Sequence, residues 1–456
     1  MDGMTLSDVV LATNGTFYGD KKDLQKEITG ITIDSRQVEE GNLFIAIKGE
    51  RVDGHDFIPA IRNAGAVASV CERQPDSGME PYVLVDSTLQ AIKDIARYYR
   101  SNMPVKVIGV SGSVGKTSAK EMIASVLSEK HYVLKTIGNF NNEIGMPLTL
   151  FRLTREHEAA VVEMGISDFG EMHRLSQIAR PDICVITNIG QCHLDKLGDR
   201  DGVYRAKSEM FEFLPRDGII ILNGDDDILS RAAMINGIRP LFFGLGHQND
   251  IYAENIVPQG LEKIYFEIVI PSKNERFRVE LNQPGRHMIY NALAAAAVGM
   301  SLGLKSEQIK RGIEKNEKVK GRVNIIQTDK WTIIDDCYNA NPVSMKASLD
   351  LLAEASGRKV AILGDMLELG KDEEILHKEV GSYLAEKGID LLLCSGRLSR
   401  QTYEGAGDGL SKYYFETREE MMRKIPVLLK PTDTILIKAS HGMHFEKIVL
   451  MLETDC

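Results

Sequence analysis

The sequence predicts an α/β protein of two or three domains, and three features carry that expectation. A length of 456 residues exceeds what one hydrophobic core ordinarily organises. Runs of five or six almost continuously apolar residues, as in strands buried on both faces of a parallel sheet, alternate with helix-period patterns. That alternation begins near residue 105 and starts afresh after a charged, helix-ending segment at 310–320.

Up to about residue 86 the chain reads as a mixed set of short strands and turns. ITGITIDSR (28–36) and NLFIAIKGE (42–50) have strand patterns, 57–65 a helical one, and 66–71 and 82–85 read as further strands. A connecting helix is expected at 88–100. Strands follow at 105–110, 159–164, 183–188 and 219–223. Strand alternation at 261–281 breaks the rhythm, and a long apolar helix at 288–302 closes the unit. The last unit has strands at 332–335, 360–363, 391–394 and 434–438, with helices near 343–354, 374–387 and 416–429. This is the pattern of a doubly wound, Rossmann-like domain. Asp335-Asp336, Gly364-Asp365, Ser395-Gly396 and Ser440-His441 fall at carboxyl ends of its strands, where open α/β sheets bind ligands.

Composition narrows the function. Contents of 43% hydrophobic and 26% charged residues are those of a globular chain and exclude disorder. A net charge of −10 opposes nonspecific nucleic-acid binding and adsorption to an anionic membrane. An anionic substrate therefore has to be held by local lysines, arginines and backbone donors. Cys71, Cys184, Cys192, Cys337, Cys394 and Cys456 form no CxxC pair and no metal-like cluster, which fits free thiols in a reducing cytosol. The start lacks a signal-peptide pattern, and the most apolar run, 292–304, is too short to span a bilayer. The expectation is a cytoplasmic protein with no nucleic-acid partner and no membrane insertion.

The stretch 105–127 carries the most chemistry. An apolar strand runs into Gly112-Ser113-Val114-Gly115-Lys116-Thr117-Ser118, and a helix follows with Ala119, Met122, Ile123, Val126 and Leu127 on one face. Backbone N–H groups of such a turn and the helix N-terminus point at an anion, and the lysine neutralises outer phosphates. The Thr117 hydroxyl would sit on the Mg²⁺ that accompanies a nucleoside triphosphate. The loop is the shorter form of this motif, since the position of the usual first glycine is Val110. The ligand expected is ATP.

Other polar residues fall near the same sheet edge. Glu163 ends the strand at 159–164 and is a candidate Mg²⁺ ligand; the alternative is a surface glutamate. His193, in TNIGQCHLD, is either a hydrogen-bonded structural residue or a ligand, and its place at this edge improves the second case. Lys207 lies on an expected helix, where a lysine by default faces solvent. Asn139, Asn141 and Asn142, in GNFNNEIGMP, serve either turn geometry or a ligand.

In order and spacing, GSVGKTS, the EMG at 163–165, TNIGQCHLD and RAKSEMF resemble the Mur ligases of peptidoglycan synthesis. DSRQVEEGNLFIAIKGERVDGHDF (34–57) looks like that family's uridine-nucleotide domain. DDCYNANPVSMKASL (335–349) and ILGDMLELG (362–370) are similar to the branch that joins D-alanyl-D-alanine to a UDP-N-acetylmuramoyl tripeptide. The resemblance implies three domains. These would be a small mixed α/β domain (1–86) for the UDP-muramoyl peptide, a central P-loop ATPase with a mainly parallel sheet (87–317), and a Rossmann-like domain (318–456) for the incoming dipeptide.

The resemblance also implies residue roles. Lys116 would contact the β/γ-phosphates, Thr117 and Glu163 one Mg²⁺, and His193 a second. Lys207 would be carbamylated, a cation turned into a metal-binding carbamate. Asn291 and Asp336 would hold adenine and ribose, and Arg322 would reach the γ-phosphate. Ser35, Arg36, Lys48 and His55 would meet the UDP-sugar. Asn139, Asn142, Tyr338, Asn339, Asn341 and Lys438 are the remaining expected substrate contacts. The expected enzyme is a monomeric bacterial ligase that works through an acyl phosphate.

One departure stands out. Where the family commonly ends Lys-(Gly/Ala)-Ser-Arg, this chain has Lys438-Ala439-Ser440-His441. A histidine, with an ordinary pKa of about 6.5, does not supply an arginine's permanent forked cation. A carboxylate contact made by that arginine would be weaker here, or come from Lys438 or elsewhere.

Overall fold

Three sheets, one per domain, organise the chain. The computed structural model describes residues 1–317 and 321–454, so Cys456 lies outside the described residues and the expected boundary at 317–318 falls at their edge. Among these residues no helix is long and apolar enough to cross a membrane.

The N-terminal sheet has the order Thr16–Tyr18, Tyr82–Leu84, Ala68–Cys71, Asn42–Ile45, Gly30–Thr32, parallel except for its first pair. The strand expected at 28–36 shrinks to Gly30–Thr32. The Asp34 side chain accepts from the Arg36 N–H and caps a tight turn over Ser35–Gln37 instead. The strand expected at 42–50 ends at Ile45, and the chain then turns back so that the Gly49 N–H donates to the Val52 carbonyl.

The central sheet has nine strands. Seven are parallel, in the order Val133–Lys135, Ala159–Glu163, Lys106–Ser111, Ile183–Ile186, Ile219–Asn223, Leu241–Gly244, Ile251–Gln259. The hairpin Lys263–Ile270 and Glu275–Leu281 extends it antiparallel. That hairpin is the source of the alternation at 261–281: Ile264, Phe266 and Ile268 are buried while Lys263, Tyr265 and Glu267 are not. Helices Lys116–Leu127, His287–Ser301 and Ser306–Glu314 cover one face, and Thr88–Ser101, Glu171–Ala179 and Arg200–Ser208 the other.

In the C-terminal sheet the order is Asn324–Gln327, Thr332–Asp335, Thr434–Lys438, Lys359–Gly364, Leu391–Ser395, Ser411–Phe415. Only the first pair is antiparallel. The last strand in sequence, Thr434–Lys438, inserts between the second and third, which makes its carboxyl end a switch point in strand order. Pro342–Ala353 and Glu373–Ala385 lie on one face, Arg418–Leu428 and Glu446–Thr454 on the other. One buried apolar cluster runs through all three domains, from Val70 and Ile95 through Met172 to Met345 and Val380.

Candidate active site

Strand Lys106–Ser111 lies between Ala159–Glu163 and Ile183–Ile186. Parallel neighbours end at one edge, so loop 112–118, Glu163 and segment 187–193 converge there. Gly112 has φ +149°, and a Cβ on it would lie 2.0 Å from Thr187 Oγ1, so a side chain is excluded. Gly115, at φ +83°, is the N-cap of helix Lys116–Leu127, whose first N–H groups lack intrahelical partners. The Lys116 ammonium folds back onto the Gly112 carbonyl at 2.8 Å. Burial lowers its pKa, while the Glu163 carboxylate opposes that shift.

Segment 187–190 grips the loop from the other side. Thr187 Oγ1 donates to the Val114 carbonyl at 2.6 Å and Asn188 Nδ2 to the same carbonyl at 2.9 Å. Asn188 Oδ1 accepts from the Val114 N–H at 3.0 Å. The Ser113 N–H donates to the Asn188 carbonyl, and the Gly190 N–H to Ser113 Oγ.

Glu163 is 2% exposed. Its Oε1 accepts from Asn141 Nδ2 at 2.8 Å, and its Oε2 is buried without a partner. Asn141 approaches this closely because residue 165 is glycine: a Cβ there would lie 2.9 Å from the Asn141 amide. Asn142 accepts from the Ile144 and Gly145 N–H groups through Oδ1, a turn that starts helix Gly145–Leu150.

Two cavities meet at the loop. A cleft of about 500 Å³ is lined by Ser113, Lys116, Asn142, Glu163 and His193 from the central domain. Arg322, Tyr338, Asn339 and Asn341 line it from the C-terminal domain. A second cavity of about 230 Å³ is lined by Thr117, Ser118, Asn291, Asp336 and Lys438. Val114, Gly115 and Arg322 belong to both walls. The Arg322 guanidinium lies over the Tyr338 ring, 3.9 Å from its centroid.

His193 has φ +52°, and its Nδ1 lies 2.6 Å from a Glu368 carboxylate oxygen of the C-terminal domain. Burial lowers its pKa, against the pull of Glu368. Lys207 is 1% exposed, and burial pushes its pKa down to about 8. Its burial means that it does not have the solvent-facing place a helix lysine takes by default.

Other expected residues stand elsewhere or are already engaged. Lys438 donates to Asp336 Oδ2 at 2.6 Å and to the Asn339 carbonyl at 2.9 Å, so its ammonium is committed inside the protein. Asp336 also accepts from Ser348 Oγ at 2.7 Å. Ser35, Arg36, Lys48, His55 and Asn139 line neither cavity. Arg36 pairs with Asp34 on the surface. His55 is buried, with Nδ1 2.7 Å from Asp53 and Nε2 accepting from the Glu72 N–H. Thr187, Asn188, Asn223 and His287 line the second cavity without having been singled out from sequence. The signal for the first two was a polar pair directly after an apolar strand, at the phosphate-loop edge.

Residues 27–103 match the Mur ligase family catalytic domain, 110–299 the Mur ligase middle domain, and 321–441 the Mur ligase glutamate ligase domain. A UDP-N-acetylmuramoyl-tripeptide–D-alanyl-D-alanine ligase of Bacillus subtilis is 37% identical over 98% of this chain and 97% of its own. Its counterpart in Escherichia coli is 36% identical over 100% and 99%. A crystal structure of MurF from Acinetobacter baumannii superimposes with a TM-score of 0.90 at 34% identity, covering 98% of each chain. MurF ligase from Thermotoga maritima in complex with ADP gives 0.82 at 28% identity, covering 94% of this chain and 98% of that one.

Proposed function

This chain belongs to the Mur ligase family, and we infer that it is an ATP-dependent ligase that adds D-alanyl-D-alanine to a UDP-N-acetylmuramoyl tripeptide, releasing ADP and phosphate. The observation that carries the chemistry is the meeting of two cavities at the phosphate loop, with Arg322 in both walls. Adenosine in the smaller cavity lays its triphosphate along residues 112–118. The γ-phosphate then reaches the larger cleft, which has room for a peptide carboxylate.

A free carboxylate is a poor acyl donor because oxide does not leave. Its oxygen attacks the γ-phosphorus, ADP departs, and an acyl phosphate remains. The neutral amine of the dipeptide then attacks the acyl carbon, and phosphate leaves from the tetrahedral intermediate as the amine loses a proton. Both first-step reactants are anions. Lys116, Arg322 and the free N–H groups of the helix start neutralise them in a site where charge interactions are strengthened by exclusion of water.

The family is Mg²⁺-dependent, and the donor set here suits such an ion. Mg²⁺ takes oxygen ligands and binds through one or two carboxylates plus substrate phosphates. The unpartnered buried Oε2 of Glu163 would supply the carboxylate, and the hydroxyl of Thr117, which lines the second cavity, would add a neutral oxygen. Among the described residues no group of three or more His, Cys, Asp or Glu side chains is gathered for a metal; phosphates and water would complete the shell. When bound, Mg²⁺ neutralises the charge that develops between the phosphates. We assign a second ion to His193 and a carbamylated Lys207. An amine with its pKa lowered to about 8 is neutral often enough to react with CO₂. In this reading residues 1–86 hold the UDP-sugar through Ser35, Arg36, Lys48 and His55, and 318–456 hold the dipeptide.

A coupled ADP-release assay tests the function. Turnover is expected only when ATP, a UDP-muramoyl tripeptide and D-alanyl-D-alanine are all present. Equal turnover without either acceptor would leave a nucleotide-hydrolysing switch as the better reading.

A further inference from the structure

A phosphate loop works only if its carbonyl oxygens turn away from the anion and its N–H groups turn toward it. In this chain the peptide joining Val114 to Gly115 is held on its carbonyl side by two donors, Thr187 Oγ1 at 2.6 Å and Asn188 Nδ2 at 2.9 Å. The peptide unit is planar and trans, so its N–H points opposite to its C=O. Fixing the Val114 carbonyl against 187–188 therefore directs the Gly115 N–H the other way, toward the space between the two cavities that both residues line. The preceding peptide is fixed as well, because the Val114 N–H donates to Asn188 Oδ1 at 3.0 Å. One carboxamide thus grips both sides of Val114, and its match of donor to acceptor and acceptor to donor leaves no alternative orientation of the amide.

We propose that Asn188, assisted by Thr187, is the positioning residue for nucleotide phosphates: it sets the peptide planes of the loop so that the Gly115 N–H meets the β-phosphate region. Gly112 is part of the same device, since its lack of a side chain lets the loop sit against Thr187. Thr187 is held in turn, its carbonyl accepting from Asn223 Nδ2 at 3.0 Å. The clamp belongs to the central domain alone. It is therefore in place before the C-terminal domain contributes Arg322.

The proposal rests on the loop taking ATP, and the wild-type protein's own ADP affinity tests that premise separately. Asn188→Ala, Asn188→Asp and Thr187→Val are compared with wild type for calorimetric binding of ADP and of adenosine, KM for ATP and for the UDP-tripeptide, and melting temperature. Asn188 also lines the adenosine cavity, so a residue that only shapes that wall would weaken adenosine and ADP together. The clamp predicts at least tenfold weaker ADP binding and a matching rise in KM for ATP for Asn188→Ala, with adenosine affinity and KM for the UDP-tripeptide within twofold. Asn188→Asp loses the donor to the Val114 carbonyl, and is expected to recover ADP affinity relative to wild type as pH falls and the new carboxyl gains a proton. Unchanged ADP binding, or a parallel loss of ADP and adenosine, overturns the proposal. Should the Asn188 variants fail to fold, Thr187→Val decides: it keeps shape, removes one donor, and is expected to weaken ADP severalfold without affecting adenosine, and no change in ADP affinity refutes the clamp.

Discussion

Lys207 is a cation with 1% of its surface exposed. Its pKa is about 8 in the folded protein against 10.5 for an ordinary lysine. Between those values the folded state binds fewer protons than the unfolded one. The burial penalty is thus fully present below about pH 8 and fades as pH rises to 10.5. Lys207→Met removes it. In CO₂-free, Mg²⁺-free buffer at pH 7 this variant is expected to be more stable than wild type by up to roughly 3 kcal/mol, read from urea unfolding. It is also expected to be inactive, and wild type equilibrated with ¹³CO₂ should show a carbamate carbonyl resonance that the variant lacks. A Met variant less stable than wild type at pH 7 would contradict the assigned penalty. Lys116→Ala makes the complementary case, abolishing ADP release while UDP-substrate binding stays within a few fold, measured by calorimetry. Both lysines were visible in sequence, but only a family resemblance separated Lys207 from a solvated helix face. Asn141 and Asn142 mark the limit of such reading. Adjacent and chemically identical, one orients Glu163 and the other caps a turn. Nothing in composition or spacing distinguishes them, because the difference lies in what each faces after folding, a strand end for Asn141 and the start of a helix for Asn142.

At the scale of elements, helix Lys116–Leu127 was legible because its apolar stripe, Ala119, Met122, Ile123, Val126 and Leu127, is buried throughout. Lys120 is equally buried on the same helix, which no periodicity reveals; its ammonium pairs with Glu121 and donates to the Thr136 carbonyl. The parallel core strands were legible for the same reason as the stripe. Val133–Lys135 and Ser411–Phe415 were not, since these short strands are partly exposed and leave no continuous apolar run. The phosphate-loop helix is seated by close backbone contact. A Cβ on Gly312 would lie 2.4 Å from Val126 Cα, so helix Ser306–Glu314 crosses it at a distance only glycine permits. Gly312→Ala is expected to cost about 1–3 kcal/mol by overpacking. It should also weaken ADP binding by tilting the helix start. Gly409, where an added Cβ meets nothing within 4 Å, is the control site. Equal denaturation midpoints for the two alanine variants would remove the argument for a glycine-dependent crossing.

The cavity that we assign to the nucleotide lies between domains: Thr117, Thr187 and Asn291 face Asp336, Ser348 and Lys438 across it. Nucleotide affinity should therefore depend on how closely the C-terminal domain docks, even where no nucleotide contact is touched. The docking contact lies beside the larger cleft, where the Leu194 N–H donates to the Glu368 carbonyl at 3.0 Å and His193 meets the Glu368 side chain. The Glu368 side chain is 58% exposed, so its ion pair adds well under about 1 kcal/mol. Shape is the stronger lever. Gly370 has φ +65°, and a Cβ on it would come within 3.1 Å of the Asp195 backbone. Gly370→Val inserts a wedge at this junction without altering any residue that lines either cavity. The expected outcome is a larger radius of gyration by solution X-ray scattering, ADP binding weakened at least fivefold, and kcat reduced at least tenfold. Binding of the UDP-tripeptide is expected to change least, since that substrate is assigned to the N-terminal domain. Retention of wild-type ADP affinity in a protein whose scattering shows the domains apart would mean that the central domain binds the nucleotide unaided, and that Asp336 and Lys438 hold the C-terminal domain together without serving the ligand.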